Sequence, residues 1–234
     1  MGLGDEIVTS LATVLPILWN IERLIVSDNR TSDLGTHAVV KAVQSLPDLT
    51  FLDLSENEVG PLAAHELREY MRNSWCKLRS LAIRKADIDD DECREFMAAL
   101  GRNSSLRHVD LSNNLIGKSE TLKIKCAFQV TGAESIAAML VTTSTLRSLD
   151  LSWNSLRMDS AVTVAQSLRH NHSLESLRLG YNSFSDCGSQ ELAVSLFEND
   201  TLTSLDLSYN SVTPSAAMVI AFALKVCSEP ALRL

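Results

Sequence analysis

The fold is decided by a pattern that reads Leu-Arg-Ser-Leu-Asp-Leu-Ser-Trp-Asn at residues 146–154 and Leu-Thr-Ser-Leu-Asp-Leu-Ser-Tyr-Asn at residues 202–210. Successive copies start 28, 29, 28, 40, 28 and 28 residues apart along the 234-residue chain. This near-constant spacing indicates one supersecondary unit that is repeated. The other copies, with Leu, Ile or Val at most apolar places, begin at Ile21, Leu49, Leu78, Leu106 and Leu174.

Each period divides into a strand and a helix. The Leu-x-Leu centre of the pattern alternates as a strand does. Counted from the closing Asn, apolar residues then fall at helical spacing, as Ala161, Val164 and Leu168 do in the fifth copy. Pro61 and Pro214 stand where helices should begin, a position that tolerates proline. The sequence therefore predicts an α/β solenoid of about seven repeats, with parallel strands on one side and helices on the other.

The repeat resembles the ribonuclease-inhibitor-like class of leucine-rich repeats over almost the whole chain. The segments LDLSWNSL (149–156) and LDLSYNSV (205–212) are similar to that family's signature. The resemblance implies a horseshoe with a concave parallel sheet and outer helices. It also implies a non-catalytic scaffold that binds another protein on its concave face.

We expect one solenoid domain over residues 1–234, and two features qualify its boundaries. The interval of 40 residues implies about 12 extra residues, which we place at 118–129. This basic insertion is either a functional loop or a tolerated addition. Neither end of the chain has the polar face of a capping repeat, so we expect either a segment of a longer array or a shortened product.

Charge and cysteine content restrict the partners and the compartment. Lys and Arg total 21 and Asp and Glu total 29, which gives a net charge of −8 and disfavours nucleic acid or an anionic membrane as the partner. The five cysteines are scattered without a Cys-x-x-Cys pair, as expected in a reducing compartment. The N-terminus has no basic region of a secretory signal. We expect a cytoplasmic monomer that binds a neutral to basic protein.

Motifs for catalysis or cofactors are incomplete. Residues 117–119 read Gly-Lys-Ser, but a phosphate-binding loop also needs Gly at the place that Ser112 occupies. No histidine has a nucleophile nearby in the sequence pattern. We therefore expect no enzymatic activity, no catalytic residues and no cofactor.

An acidic run at residues 87–91 resembles the start of a calcium loop. The sixth position of such a loop must be Gly, and here it is Glu92. Negative charge at this place suits the beginning of the third repeat's helix instead. We expect a helix cap and no metal site.

Four Asn-x-Ser/Thr sequons recur at repeat junctions, which favours a structural role over glycosylation in a chain without a secretory signal. They begin at Asn29, Asn103, Asn171 and Asn199.

The closing Asn of the pattern has a physical reason. The backbone turns inside the solenoid there, and an inward amide can satisfy its donors and acceptors. In the third copy the place is taken by Ala86. We expect a weak point at Ala86, or a water in place of the amide.

Residues between the core leucines should form columns on the concave face. One column is acidic and is interrupted by Ile25, Ala82 and Arg178. The residue before the closing Asn forms another column, which is aromatic in the last three copies. Because parallel strands lie about 4.8 Å apart, three successive rings should make a contiguous strip. Such a strip either anchors a partner or stiffens the sheet, and the two roles are compatible. The candidate partner-binding residues are Trp153, Tyr181, Tyr209, Asp53, Asp110, Asp150, Asp206 and Arg178.

Two alternative functions stay open at the level of sequence. The chain also resembles the repeat class of Ran-type GTPase activators, and a GTP hydrolysis assay would test that role. It resembles the ligand-sensing repeats of NOD-like receptors as well. The length of the natural gene product would test the second alternative.

Overall fold

The computed structural model describes residues 2–18, 20–118 and 130–228, and strands alternate with helices throughout these ranges. The strands are β1 (Arg23–Ile25), β2 (Phe51–Asp53), β3 (Ser80–Ala82), β4 (His108–Asp110), β5 (Ser148–Asp150), β6 (Ser176–Arg178) and β7 (Ser204–Asp206). The helices are α1 (Gly4–Val14), α2 (Asp33–Val43), α3 (Pro61–Arg72), α4 (Asp90–Leu100), α5 (Gly132–Thr142), α6 (Asp159–Ser167), α7 (Ser185–Glu198) and α8 (Pro214–Ser228). Short 3-10 turns follow α1 and α6, at Leu15–Ile17 and Leu168–His170.

The strands form one parallel sheet in the order of the chain. The pattern stays in register across it, so Leu149 lies beside Leu177, and Leu177 beside Leu205. In each strand the central residue faces the helices while its two neighbours face outward. The predicted α/β solenoid is confirmed, including the helix starts at Pro61 and Pro214.

The core is a continuous column of leucines between sheet and helices. Leu149 and Leu177 are fully buried in the interior copies. In the last described copy the matching Leu205 and its neighbour Leu207 are only half-buried. Each repeat therefore relies on the next one to cover its apolar face, as in other solenoids.

Aspartates near helix starts tie consecutive repeats together, a feature that the sequence analysis did not find. Each carboxylate accepts a hydrogen bond from a backbone N–H about one repeat further on. The pairs are Asp5 with Ser32, Asp33 with Ala63, Asp90 with Gly117 and Asp186 with Thr213.

The acidic run at residues 87–91 lies at the start of α4, where it caps the helix. Asp89 accepts a hydrogen bond from the Asp91 N–H at 2.7 Å, and the Glu92 carboxylate accepts one from the Asp89 N–H at 3.2 Å. This is a reciprocal capping box, so the predicted helix cap is confirmed. Partial burial, together with the Asp89 carboxylate, raises the pKa of Glu92 to about 7.

Gly117, the first residue of the Gly-Lys-Ser motif, lies at a turn, and its amide is already engaged. The Gly117 N–H donates to the Asp90 carboxylate at 2.7 Å, and the φ of Gly117 is +81°. Only Lys118 of the predicted insertion at 118–129 falls within the described ranges; the remaining insertion residues lie outside them. Within the described part of the chain, no helix is both long and apolar enough to cross a membrane.

Candidate interaction surface

A ladder of buried Asn side chains holds the turn that follows each strand. Asn182 Nδ2 donates to the carbonyls of Leu151 at 2.8 Å and Leu179 at 3.0 Å. Its Oδ1 accepts from the Leu156 N–H at 3.2 Å. The predicted inward amide is present at its own turn, and it also bonds the turn of the preceding repeat, which the sequence did not predict.

Ala86 interrupts this ladder. Asn114 still serves the turn of the Ala86 copy, since its Oδ1 accepts from the Ala86 N–H at 2.9 Å. With a methyl group at position 86, this copy supplies no amide to the preceding turn, which keeps only its own Asn57, whose Nδ2 donates to the Leu54 carbonyl at 3.1 Å. The Val59 N–H donates there to the Ala86 carbonyl instead, at 3.0 Å. That the site is weak stays a prediction.

The residue before each closing Asn adopts a left-handed backbone. The φ angles at Trp153, Tyr181 and Tyr209 are 56°, 58° and 55°, and Asn113 in the same column has 58°. Strand β5 ends at Asp150, three residues before Trp153. The aromatic column therefore lies in the turns at the carboxyl ends of the strands. The reversed bend carries these side chains to that edge of the sheet.

Trp153, Tyr181 and Tyr209 form one stack, which we call the aromatic strip. The ring centroids of Trp153 and Tyr181 are 3.7 Å apart, and those of Tyr181 and Tyr209 are 4.2 Å apart. Trp153 is 54% exposed and Tyr209 is 74% exposed. Loss of hydration and a hydrogen bond with Tyr209 raise the pKa of Tyr181. The rings pack on one another while remaining open to solvent.

The acidic column has a structural role that the sequence analysis missed. The Asp150 carboxylate accepts a hydrogen bond from the Ser152 N–H at 2.9 Å, which fixes the first residue of the turn. This Asp-x-Ser bond recurs in three other copies, and it is the local side-chain bond that makes Asp favourable at turns. The other pairs are Asp53 with Ser55, Asp110 with Ser112 and Asp206 with Ser208.

Arg178 lies between two of these carboxylates. It is in register with Asp150 on one side and Asp206 on the other, and its guanidinium is 3.5 Å from the Asp150 carboxylate. The bonds from Ser208, and more weakly Arg178, lower the pKa of Asp206. These three charged residues lie beside the aromatic strip.

The remaining acidic candidates lie further along the sheet. Asp110 pairs with Asp150 across β4 and β5 and so extends the acidic column. Asp53 is separated from Asp110 by Ala82 of β3. Asp53 therefore belongs to a different part of the face from the aromatic strip.

Comparison with known proteins agrees with this architecture. A family model described as Leucine Rich repeat matches residues 102–119, 143–162, 170–193 and 198–221. Curated relatives include NACHT, LRR and PYD domains-containing protein 5 of Mus musculus and the ribonuclease inhibitor of Sus scrofa. The chain carries leucine-rich repeats, and these similarities are consistent with the ribonuclease-inhibitor-like family.

These similarities cover only part of the relatives. The Mus musculus protein is 28% identical over 186 residues, which cover 72% of this leucine-rich-repeat chain and 15% of that protein. The Sus scrofa inhibitor is 25% identical over 148 residues, which cover 56% of this chain and 32% of the inhibitor. The chain thus spans about a third or less of both.

A solved structure shares the leucine-rich-repeat fold. The Leiomodin-1 Actin-Binding Site 2 superimposes with a TM-score of 0.57 at 21% identity. The match covers 71% of this chain and 90% of that one. At this identity the likeness concerns the fold alone.

Three of the sequon asparagines form a second structural ladder in the leucine-rich repeats. Asn171 is fully buried; its Nδ2 donates to the Leu140 carbonyl at 2.7 Å and its Oδ1 accepts from the Leu174 N–H at 2.7 Å. Asn103 and Asn199 make the same pair of contacts at their own junctions. A glycan on such an amide would displace these bonds, so the structural interpretation holds for these three.

Metal chemistry has no visible site in the described ranges. Within them no group of three or more His, Cys, Asp or Glu side chains is placed to hold an ion. The absence of catalysis stays a prediction.

Proposed function

We propose that this leucine-rich-repeat scaffold binds another protein through the aromatic strip and the charged residues beside it. The observation that carries the proposal is the exposed stack of Trp153, Tyr181 and Tyr209. Large rings at the centre of a polar surround are the usual anchors of protein interfaces. We assign the chain no catalytic role, cofactor or metal.

The stack is organised before a partner arrives. Each ring is held by its neighbour, and each turn is fixed by an Asn amide. The turns of Trp153 and Tyr209 are also fixed by an Asp-x-Ser bond. Binding therefore costs little side-chain entropy at these positions. Tyrosine and tryptophan also combine an apolar body with a polar tip, which suits a surface that is wet before binding.

Charge favours a neutral to basic partner. Asp150 and Asp206 have their carboxylates beside the strip, and Asp110 extends the column. Arg178 offsets part of this charge and offers guanidinium donors for a carboxylate or carbonyl of the partner. The site thus presents negative charge around one positive group, which restricts the orientation of the bound protein.

A second candidate function is supported by the relatives. The chain is similar to the NACHT, LRR and PYD domains-containing proteins over 72% of its length but spans 15% of one such protein. We propose that residues 1–234 are one solenoid segment of a longer receptor of this kind. An antibody raised against residues 146–160 should then detect a cytoplasmic product much larger than 25.7 kDa. A natural product of the size of this chain would contradict this second proposal.

The binding proposal is tested by quantitative capture from lysate with the ring residues changed to Asn. Asn is the right replacement because Asn113 already occupies this column with the same left-handed backbone. We expect the triple variant Trp153→Asn, Tyr181→Asn, Tyr209→Asn to lose the partner that the parent captures. Trp75→Asn is the matched control, since Trp75 is 63% exposed but lies outside the strip. Equal capture by a folded triple variant would refute the proposal.

A further inference from the structure

A groove crosses the outer, helical surface of the molecule on the side opposite to the sheet. It runs along α4 between α3 and α5 and has a volume of about 500 Å³. Its floor is apolar and includes Met97, Ala98, Ala138 and Met139. The aromatic strip lies in the turns past the strands, so the groove is a separate surface.

The groove exists because two neighbouring repeats carry alanine at one outward position. Ala98 is twelve residues after Ala86, which closes the third copy of the pattern. Ala138 holds the same position after Asn114, which closes the fourth copy, if the 12 extra residues of that interval are not counted. In later repeats this position carries larger exposed side chains, Val194 and Phe222. The small side chains at Ala98 and Ala138 leave room for this groove, which is open to solvent.

Arginines surround this groove in a chain that is acidic as a whole. Two of them are already neutralised, since Arg68 pairs with Glu69 and Glu95, and Arg94 pairs with Asp91 at 3.0 Å. The other two, Arg72 and Arg102, stand at the carboxyl-terminal ends of α3 and α4.

Arg72 and Arg102 retain the capacity to bind a carboxylate. Arg72 is 3.7 Å from Glu69, and its side chain is 54% exposed. Arg102 is exposed and makes no ion pair with any residue of the described ranges. One end of the groove therefore offers guanidinium donors above an apolar floor.

We propose that this groove binds an acidic peptide segment of another protein. An apolar side chain of the segment packs on Ala98 and Ala138, and a carboxylate lies between Arg72 and Arg102. A guanidinium is suited to this because its planar fork matches a carboxylate. A nucleic acid fits less well, because the floor is apolar.

The probe is a fluorescein-labelled 12-residue peptide made of Glu, Asp and two Leu, and the readout is fluorescence anisotropy. We expect saturable binding that weakens with salt, since charge carries part of it. A peptide with Lys in place of the acidic residues should not bind. The double variant Arg72→Glu, Arg102→Glu should weaken binding by roughly tenfold or more. Ala98→Trp should abolish binding by filling the floor.

Two controls isolate the groove. Arg30→Glu with Lys41→Glu changes the net charge by the same amount at exposed positions outside it, and should weaken binding by less than about twofold. The triple ring variant should bind the peptide as the parent does, which separates this test from that of the proposed function. If the charge-reversed double variant fails to fold, Arg72→Gln with Arg102→Gln replaces it.

Three results would overturn the proposal. They are the absence of saturable binding to the parent, equal losses in the groove variant and the charge-matched control, and binding of a labelled oligouridine where the acidic peptide does not bind.

Discussion

Trp153 and Tyr181 stack at 3.7 Å with their planes inclined by 12°, while both residues hold a left-handed backbone. A non-glycine residue in that region is under strain of order 1 kcal/mol or more. Stacking of aromatic side chains contributes about 0.5–1.5 kcal/mol beyond the area that they bury. The two effects are of similar size, so the stack offsets much of the strain of its own turns. The strip can then serve binding without being essential to the fold.

Replacing Tyr181 by Asn should therefore change stability little. Asn tolerates the left-handed backbone, so the lost stacking is largely offset, and we expect the free energy of unfolding to change by less than about 1 kcal/mol. Leu177 is a buried core residue of the same repeat. Replacing it by Ala should lower the free energy of unfolding by roughly 2–5 kcal/mol. Urea denaturation measures both, and near-ultraviolet circular dichroism should report loss of the stack. A Tyr181→Asn variant as unstable as Leu177→Ala would mean that the strip is scaffold.

Restoring the missing amide at position 86 should stabilise the chain. In Ala86→Asn the new side chain can accept from the Asn57 N–H and donate to the Leu54 carbonyl, and we expect a gain of about 1 kcal/mol. Asn114→Ala is the reverse change one repeat later, with an expected loss of roughly 1–3 kcal/mol. The midpoints of thermal unfolding compare the two. Destabilisation by Ala86→Asn would show that the buried site has no room for an amide.

Glu92 should make stability depend on pH. Its pKa is about 7 in the folded chain, above its ordinary value of 4.5, so folding favours the protonated form. The stabilisation is complete below pH 4.5 and is lost as the pH rises through 7. Glu92→Gln keeps an acceptor for the Asp89 N–H and cannot ionise. Allowing for solvent screening, we expect it to be more stable by about 1 kcal/mol at pH 8.

At pH 4 the Glu92→Gln variant and the parent should unfold at the same urea concentration. If the free energies of unfolding of the parent and the variant differ by the same amount from pH 4 to pH 8, the pKa of Glu92 is not raised by folding. Glu134→Gln, in the capping box of Thr131 at the start of α5, is the matched control.

Deleting residues 118–129 should preserve the fold. The deletion restores a 28-residue interval between the fourth and fifth copies of the pattern. Loop length has a small effect on stability, so we expect cooperative unfolding with a midpoint within about 5 °C of the parent. In the parent, trypsin should cut first between Lys118 and Lys125. Failure of the deleted chain to fold would show that the insertion is part of the solenoid.

Much of the fold could be predicted from the sequence because each repeat specifies itself locally. The alternation of apolar and polar residues in the sequence predicts that Leu149 and Leu177 are buried. Pro61 and Pro214 mark helix starts through their own backbone geometry, which does not depend on the tertiary structure. The ladder of closing Asn residues was likewise predictable, because a turn inside a solenoid leaves backbone groups that only an inward amide can satisfy. The contiguity of the aromatic strip followed from a column three copies long.

The tertiary structure decided two things that the sequence did not: the direction in which exposed side chains point, and the contacts between neighbouring repeats. The sequence places Trp153 three residues after the strand, but only the left-handed turn sets its side chain at the edge of the sheet. The bond of Asp90 to Gly117 joins two consecutive repeats, so it depends on how one repeat packs on the next. The groove between Arg72 and Arg102 arises from three helices placed side by side. Local pattern thus determined which residues are buried, whereas the packing of one repeat on the next decided which exposed residues meet.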